Sequence, residues 1–388
     1  MWPVSVVVVL VAGALVAGLT HFVLNQFTLR SRWTALWEER GGERLVMWEA
    51  AVKQFKLSPT LGTGSGTYLY YQRHFRQPLD LTDATYAHND YLHLLAEYGL
   101  IGMAALVIFL AVHIGNGLKT FQWFISERLS ALGRIRSDTL ALNIGALSAL
   151  STYLIHSFFD FNFHIPANAL LLAIVFGLLA NPGVELPFKS AKFHHANRYL
   201  RLALPAMGLW LAIAGLPTLP AEYFGEQARV AIRDERFDDA VKAAKKGIRY
   251  DHKNPNLYAY LGDGFSGLGE AAPSPEVGEI SFKAAVRAYK TGLPLFREDR
   301  DLLLGAGSSL DALKQFDEAE PYYREAVAWE PNYAQIHFFL AAHFHAAGKW
   351  DAAEAEYTKS NTLAANRGAQ VGLERLAKER KTGSGAPP

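Results

Sequence analysis

Ala87-His88-Asn89-Asp90-Tyr91-Leu92 leads into an apolar run that continues to about Ile114. Asn89 or Asp90 suits a helix N-cap, because a short side-chain oxygen there accepts the unpaired N–H groups of the first turn. The run that follows predicts a membrane span over Gly99–Ile114, led in from Asp90 by an amphipathic helical turn. His88 therefore stands at the mouth of a predicted transmembrane helix, and the chain is read outward from it.

Four further apolar runs accompany that span. Residues 3–24 contain no Asp, Glu, Lys or Arg and predict a first span. A cleaved signal peptide is the alternative, but no basic region precedes the run and the apolar stretch is long. Leu140–Ser157, Pro166–Ala180 and Leu202–Leu219 predict three more, with Pro166 suited to a first helical turn and Pro205 to a kink. Basic residues mark two connectors, Lys119, Arg128, Arg134 and Arg136 in one, and Lys189, Lys192, Arg198 and Arg201 in the other. The link Phe158–Ile165 has neither Lys nor Arg. The positive-inside rule then puts both connectors in the cytoplasm and that link outside. The predicted domains are a transmembrane helix at 1–24, an extracytoplasmic loop at 25–96, about four transmembrane helices at 97–219, and an extracytoplasmic domain beyond.

Half of the 388 residues are hydrophobic, and the charged ones lie mostly outside the apolar runs. A net charge of +1 gives no general case for a nucleic-acid partner. The absence of cysteine excludes disulfides, thiolate metal sites and a cysteine nucleophile.

Residues 220–380 carry a repeat. Ala285, Ala319 and Ala353 are spaced by 34, and Tyr289, Tyr323 and Tyr357 follow each by four. Tyr258-x2-Leu261-Gly262-x2-Phe265 matches the first-helix signature of a tetratricopeptide repeat, and Pro331 stands where such a repeat ends its second helix. Ala240 lies 45 before Ala285, which predicts an insertion of 11 that Ala271–Glu279 can supply as a loop. The expected fold is all-α: a multi-span helical domain followed by an α-solenoid of three to four helix pairs, with a disordered tail at 381–388. Arrays of this kind bind proteins on a concave face or act as spacers.

The chemistry-bearing residues cluster in the 25–96 loop. Arg44-Leu-Val-Met-Trp48 has helical spacing, Gly62-Thr-Gly64-Ser-Gly66 follows Pro59, and Arg73 and Arg76 precede His88. Arginine forks match phosphate oxygens, glycines admit a phosphate to the backbone, and a helix start such as Asn89 favours an anion. Histidine accepts a proton at neutral pH. Together they suit attack by a hydroxyl on a carbon whose leaving group is a phosphate. Each piece alone also has a plain structural reading, as a turn, a solvated or headgroup-bound arginine, or an interfacial histidine.

As a combined pattern, Arg44-x3-Trp48-x2-Ala51, Pro59-x2-Gly62-x-Gly64-x-Gly66 and His88-Asn-Asp-Tyr-Leu92-x4-Glu97-Tyr-Gly99-Leu-Ile-Gly102 resembles the bacterial O-antigen ligase and polymerase family. His156-x3-Asp160-Phe-Asn-x2-Ile165-Pro166-Ala-Asn168 resembles members with C-terminal tetratricopeptide repeats, and the resemblance covers residues 40–182. It implies a metal-independent membrane glycosyltransferase with no cofactor. Such an enzyme moves glycan from undecaprenyl pyrophosphate to a lipid A core, glycan or protein hydroxyl on the periplasmic face. Carried over by motif, His88 is the catalytic base and Arg44 contacts the pyrophosphate, with Arg73, Arg76 and Asn89 as further substrate contacts. The family has about ten to twelve spans, so the chain is expected to correspond to the C-terminal part of such an enzyme. The alternative is a non-enzymatic anchor that displays the repeats to periplasmic protein partners. His156, Asp160 and His164 share a helical spacing, but the link they occupy is expected to turn, which favours polar packing beside the His88 loop over metal binding.

Overall fold

The structure, a computed structural model, describes residues 42–78, 83–129, 138–180 and 191–382, and every regular element among them is helical. The first predicted span, residues 130–137 and 181–190 of the connectors, and the tail from residue 383 lie outside the described residues. The chain divides into two compact units, Met1–Gln72 with Ala84–Pro182, and Arg73–Asp83 with Gly183–Pro388.

The first unit contains α1 (Gly42–Leu57), α2 (Tyr68–His74, which runs on into the second unit), α3 (Asp90–Leu129), α4 (Asp138–His156), a 3₁₀ turn (Asn162–His164) and α5 (Pro166–Ala180). Helices α3, α4 and α5 meet around Leu110, Ile114, Ala146, Leu150, Leu172 and Leu179. Gly117 allows that approach, since a Cβ there would come within 2.8 Å of the Leu147 and Leu179 side chains. Asn143 Nδ2 donates to the Gly117 carbonyl at 2.9 Å, a buried polar link between helices. The outer faces stay apolar: Leu100, Ile108, Leu142, Ile155, Leu170 and Ile174 are all exposed. Apolar faces that meet no protein partner among the described residues suit lipid better than water.

Two of these helices, over Asp90–Ile125 and Asp138–His156, are long and apolar enough to cross a membrane. Three expectations need correction. α3 does not end near Ile114 but continues to Leu129, so Lys119 is helical. α5 has 15 residues, and at about 1.5 Å per residue it falls short of a hydrocarbon core of about 30 Å. The second connector is helical from Ala191, because α6 (Ala191–Gly215) takes in Lys192, Arg198 and Arg201 before the predicted fifth span. Pro205 lies inside that helix, and Leu202, Leu209, Trp210 and Ile213 are exposed on it.

The second unit continues through α7 (Leu219–Arg233), α8 (Phe237–Tyr250), α9 (Pro255–Glu270), α10 (Pro275–Gly292), α11 (Arg300–Ala312), α12 (Phe316–Trp329), α13 (Ala334–Ala346), α14 (Trp350–Leu363) and α15 (Arg367–Thr382). These are four helix pairs and a last helix. The repeat positions are its core: Ala285, Ala319 and Ala353 are fully buried, and Tyr289, Tyr323 and Tyr357 nearly so. Each tyrosine ring lies where a neighbouring helix has glycine, Tyr289 against Gly262 and Gly305, Tyr323 against Gly307, and Tyr357 against Gly372. A side chain at those glycines would take the ring's space.

The insertion is not the loop predicted at Ala271–Glu279. α10 begins at Pro275, so most of that stretch is its first turns. The extra residues lengthen the helices, α9 and α10 having 16 and 18 residues where α11 and α12 have 13 and 14. The tail also starts later than expected, because α15 runs to Thr382.

Tyr289 Oη donates to Asp263 Oδ1 at 2.7 Å. Burial pushes the Asp263 carboxyl up to about 6, because desolvation outweighs the tyrosine bond and Asp301 and Asp299 repel the charge. A folded pKa above the unfolded one means stability present below about pH 4 that is lost as pH rises through about 6. Asp263→Asn keeps an acceptor for Tyr289 and removes that loss. The loss is on the order of 1 kcal/mol once partial exposure is allowed for, or ~2–4 °C in melting temperature. Melting curves of wild type and variant at pH 4 and pH 7 are expected to diverge at pH 7, with the variant the more stable.

Candidate functional site

The site begins with a break in α3. Gly99 has φ 62° and ψ −161°, outside the helical region. In an unbroken helix Leu100 N–H and Ile101 N–H would donate to the carbonyls of Ala96 and Glu97. Here they donate instead to Pro59 O at 2.8 Å and Thr60 O at 3.1 Å. The released carbonyls of Ala96 and Glu97 accept from Thr63 N–H at 3.2 Å and Gly64 N–H at 3.0 Å. The glycine loop is thus spliced into the helix, and all four backbone groups keep a partner.

Only glycine fits that splice. Gly62 has φ 74°, and a Cβ on it would overlap the Glu97 carbonyl and Tyr98 N. A Cβ on Gly99 would lie 2.6 Å from Gly62 N and Thr60. With Gly62 N–H donating to Ser58 O, the loop's first amides are committed to protein carbonyls. Of the two readings of Gly62–Gly66, a turn or a phosphate cradle, the bonds favour the turn, because its first amides hold the helix. Gln54, buried on α1, donates to Thr63 Oγ1 at 2.7 Å and ties the loop to that helix.

His88 lies two residues before α3 and has φ 49°, the left-handed region that a non-glycine residue occupies only when its surroundings hold it there. Trp48 Nε1 donates to the His88 carbonyl at 3.4 Å. Phe161 packs edge-on against the imidazole, with ring centres 4.7 Å apart. His88 Nδ1 faces Asp160 Oδ1 at 3.3 Å, within ion-pair distance but not aligned as a hydrogen bond. The His88 side chain is about a third exposed, at 31%. A second layer lies beneath it. Buried His93 pairs with buried Glu97 at 3.4 Å, and His164 Nδ1 meets Asp90 Oδ1 at 3.1 Å. Glu97 Oε1 also accepts from Tyr68 N–H at 3.0 Å. The polar packing expected of Asp160 and His164 beside the His88 loop is what the structure has. No group of three or more ligating side chains suited to a metal occurs among the described residues.

Asn89 is the N-cap: its Oδ1 accepts from Tyr91 N–H at 3.1 Å and Leu92 N–H at 3.0 Å. Expected to hold substrate, its amide oxygen is instead committed to the helix end. Arg44 is exposed on α1, one turn before Trp48 and so on the same side of that helix. Arg73 and Arg76 belong to the second unit. Arg73 pairs with Asp83 at 3.0 Å, and Arg76, fully buried, pairs with Asp83 and lies 3.9 Å from buried Glu330. Arg300 completes the cluster, 2.8 Å from Asp83 and 3.3 Å from Glu330, and Tyr333 lies under the Arg76 and Arg300 guanidiniums. Those arginines hold the Asp83 carboxyl down at about 2 despite its burial. A pyrophosphate would have to displace two carboxylates to reach Arg76, which corrects the expectation that Arg73 and Arg76 bind one.

Sequence reasoning missed His93, and it quoted Trp48 and Glu97 in the motif without giving either a role. The His93–Glu97 spacing of four on one helix face was the available signal.

An apolar helical unit with a strained histidine at a helix mouth, joined to a helix-pair solenoid, is the class that fold and site define. A family model described as O-antigen ligase matches residues 1–107, and one described as tetratricopeptide repeat matches residues 310–371. Arg44 and His88 lie within the residues similar to O-antigen ligase, which precede those similar to tetratricopeptide repeats. The link with Asp160 falls outside the matched residues. No curated protein matches the chain. Among solved structures, a thermophilic TPR protein of Thermus thermophilus is 23% identical, with a TM-score of 0.37 over 48% of this chain and 98% of its own. MamA from Desulfovibrio magneticus RS-1 is 15% identical, with a TM-score of 0.33 over 42% of this chain and 97% of its own. Yeast Tom70 is 15% identical, with a TM-score of 0.27 over 93% of this chain and 75% of its own.

Proposed function

We propose that the chain is a membrane glycosyltransferase of the O-antigen ligase or polymerase type. It moves glycan from undecaprenyl pyrophosphate to an acceptor hydroxyl on the periplasmic face, with the repeats also outside. The acceptor is a lipid A core, a glycan or a protein. The observation that carries this reading is the strained His88, inside the residues of ligase type, with Asp160 of the α4–α5 link facing its imidazole. Asp160 faces Nδ1; in the tautomer with the proton on Nδ1, Nε2 is the nitrogen that takes a proton from the acceptor. The acceptor oxygen then bonds to the anomeric carbon while the bond from that carbon to the pyrophosphate oxygen breaks. Undecaprenyl pyrophosphate leaves with the electron pair.

Of the arginines expected to hold the diphosphate, Arg44 retains that role here, because it is exposed on the helix whose Trp48 touches His88. The test is release of undecaprenyl pyrophosphate from lipid-linked glycan by the full chain in membranes. Arg44→Ala is expected to raise the donor KM about 10- to 100-fold and to change kcat less. An unchanged KM removes Arg44 from the donor site. No transfer by the wild-type chain, alone or with co-expressed membrane proteins of its gene neighbourhood, leaves the membrane-anchored repeat scaffold as the better reading.

A further inference from the structure

Asp90 spends three polar groups on one short stretch of chain. Its backbone N–H donates to Ser157 O at 2.9 Å. Its Oδ2 accepts from Phe163 N–H at 3.2 Å, and its Oδ1 lies 3.1 Å from His164 Nδ1. Next to it, Tyr91 Oη donates to Leu154 O at 2.8 Å. These partners lie at the end of α4 and in the link to α5, and they bracket Asp160. The Asp90 side chain is 1% exposed, so its oxygens meet those partners and not water.

The carboxylate has little alternative use. Helix capping is done by Asn89, one residue earlier. Sequence distance makes the point sharper: Asp90 is two residues from His88 but 70 from Asp160. Within the link, Asp160 Oδ1 accepts from Phe161 N–H at 2.9 Å, which orients the carboxylate on its own loop. Among the described residues, what holds that loop toward His88 is Asp90, Tyr91 and ring packing. In that packing Tyr86 stacks on Phe161 at 4.8 Å and meets His164 at 4.6 Å, Phe161 meets His88, Tyr91 meets Phe158 and His93 meets His164. Aromatic packing sets a distance between rings, whereas two directional bonds to one carboxylate set the register of the link.

We propose that Asp90 is a positioning residue: it clamps the α4–α5 link so that the Asp160 carboxylate meets the His88 imidazole. This rests on the reading of His88 as the base, and it predicts an effect on turnover without one on donor binding. Misplacement of a catalytic partner by about 1 Å can cost on the order of 100-fold in rate.

The chain has no cysteine, so paired substitutions report on one distance only. His88→Cys with Asp160→Cys is made in the full chain in membranes and cross-linked with a short bis-methanethiosulfonate. Asp90→Ala is then added. Cross-link yield is expected to fall at least fivefold, because the link loses both side-chain bonds. His164→Phe keeps a ring for Tyr86 and His93 to pack on and removes one of the two bonds. It is expected to lower the yield by less, and it decides the matter if Asp90→Ala does not accumulate in membranes. An unchanged yield in a variant that inserts overturns the clamp. In the cysteine-free chain, Asp90→Ala is expected to lower kcat at least tenfold with the donor KM held. Loss of the cross-link with full retained turnover overturns the positioning role, because the link then moves without consequence. If the wild type transfers no glycan, the function proposed above fails while the cross-link still decides whether Asp90 sets the pair.

Discussion

Replacing His88 with asparagine is expected to leave the protein inserted in the membrane and to reduce glycan transfer by about 100- to 10,000-fold, the usual contribution of a general base. Asparagine is the informative substitute because of the backbone. His88 sits at φ 49°, a conformation that asparagine tolerates several-fold better than most residues. The carbonyl that accepts from Trp48 Nε1 can therefore stay in place, and so can the first turn of α3. What changes is the group facing Asp160, since an amide cannot take a proton from an acceptor hydroxyl at neutral pH. The measurement is restoration of the glycan profile in a strain lacking the chromosomal copy, beside the amount of protein in the membrane fraction. Full restoration removes the base from the mechanism. Loss of the protein from the membrane would instead mean that the imidazole holds α3 in place.

How much of this was legible in the sequence depends on the range of the interaction. The repeat is set by local contacts, and Ala285, Ala319 and Ala353 are read directly as buried positions at one spacing. The length of α10 was not legible, because Pro273 and Pro275 suit a loop as well as the turn before a helix and its first position. The histidine at the helix mouth and its N-cap were visible in six residues. The fate of Arg73 and Arg76 was not: their shared partner Asp83 lies in the same loop, but Glu330 and Arg300, which bury the cluster, are more than 200 residues away and no pattern in the loop announces them. The glycine motif was seen, but the choice between a turn and a phosphate cradle stayed open. A glycine-rich loop offers free amides to a phosphate or fits close against another backbone, and only the partner distinguishes the two. That partner is the break at Gly99, which lies inside what reads as one continuous helix.

The same splice gives the second large effect. Gly62→Ala is expected to destabilise the first unit by roughly 3 kcal/mol or more, whereas Gly66→Ala in the same motif costs about 1–2 kcal/mol. Both residues have left-handed φ, 74° and 73°, so the conformational penalty is shared. They differ in their surroundings. A Cβ on Gly66 meets nothing within 4 Å, whereas one on Gly62 overlaps the Glu97 carbonyl and the Tyr98 amide. Those neighbours are backbone in a buried helix turn and have no rotamer by which to withdraw. To admit the methyl group the loop must lift off α3, and the bonds from Thr63 and Gly64 to Ala96 and Glu97 lengthen with it. Four backbone groups that exchanged partners would then face an apolar surrounding without them. The first-order check is thermal unfolding of the detergent-solubilised chain, with limited proteolysis at the 59–66 loop as a local readout. Gly62→Ala should melt well below Gly66→Ala and be cut in the loop at temperatures where Gly66→Ala is not. Equal behaviour of the two variants would mean that the φ angle alone, and not the exchange of backbone partners, is what the glycines supply. Because His88 lies on the N-terminal side of this break and the apolar span on the other, a Gly62→Ala chain that still inserts is expected to lose transfer as well, through the helix that carries the base.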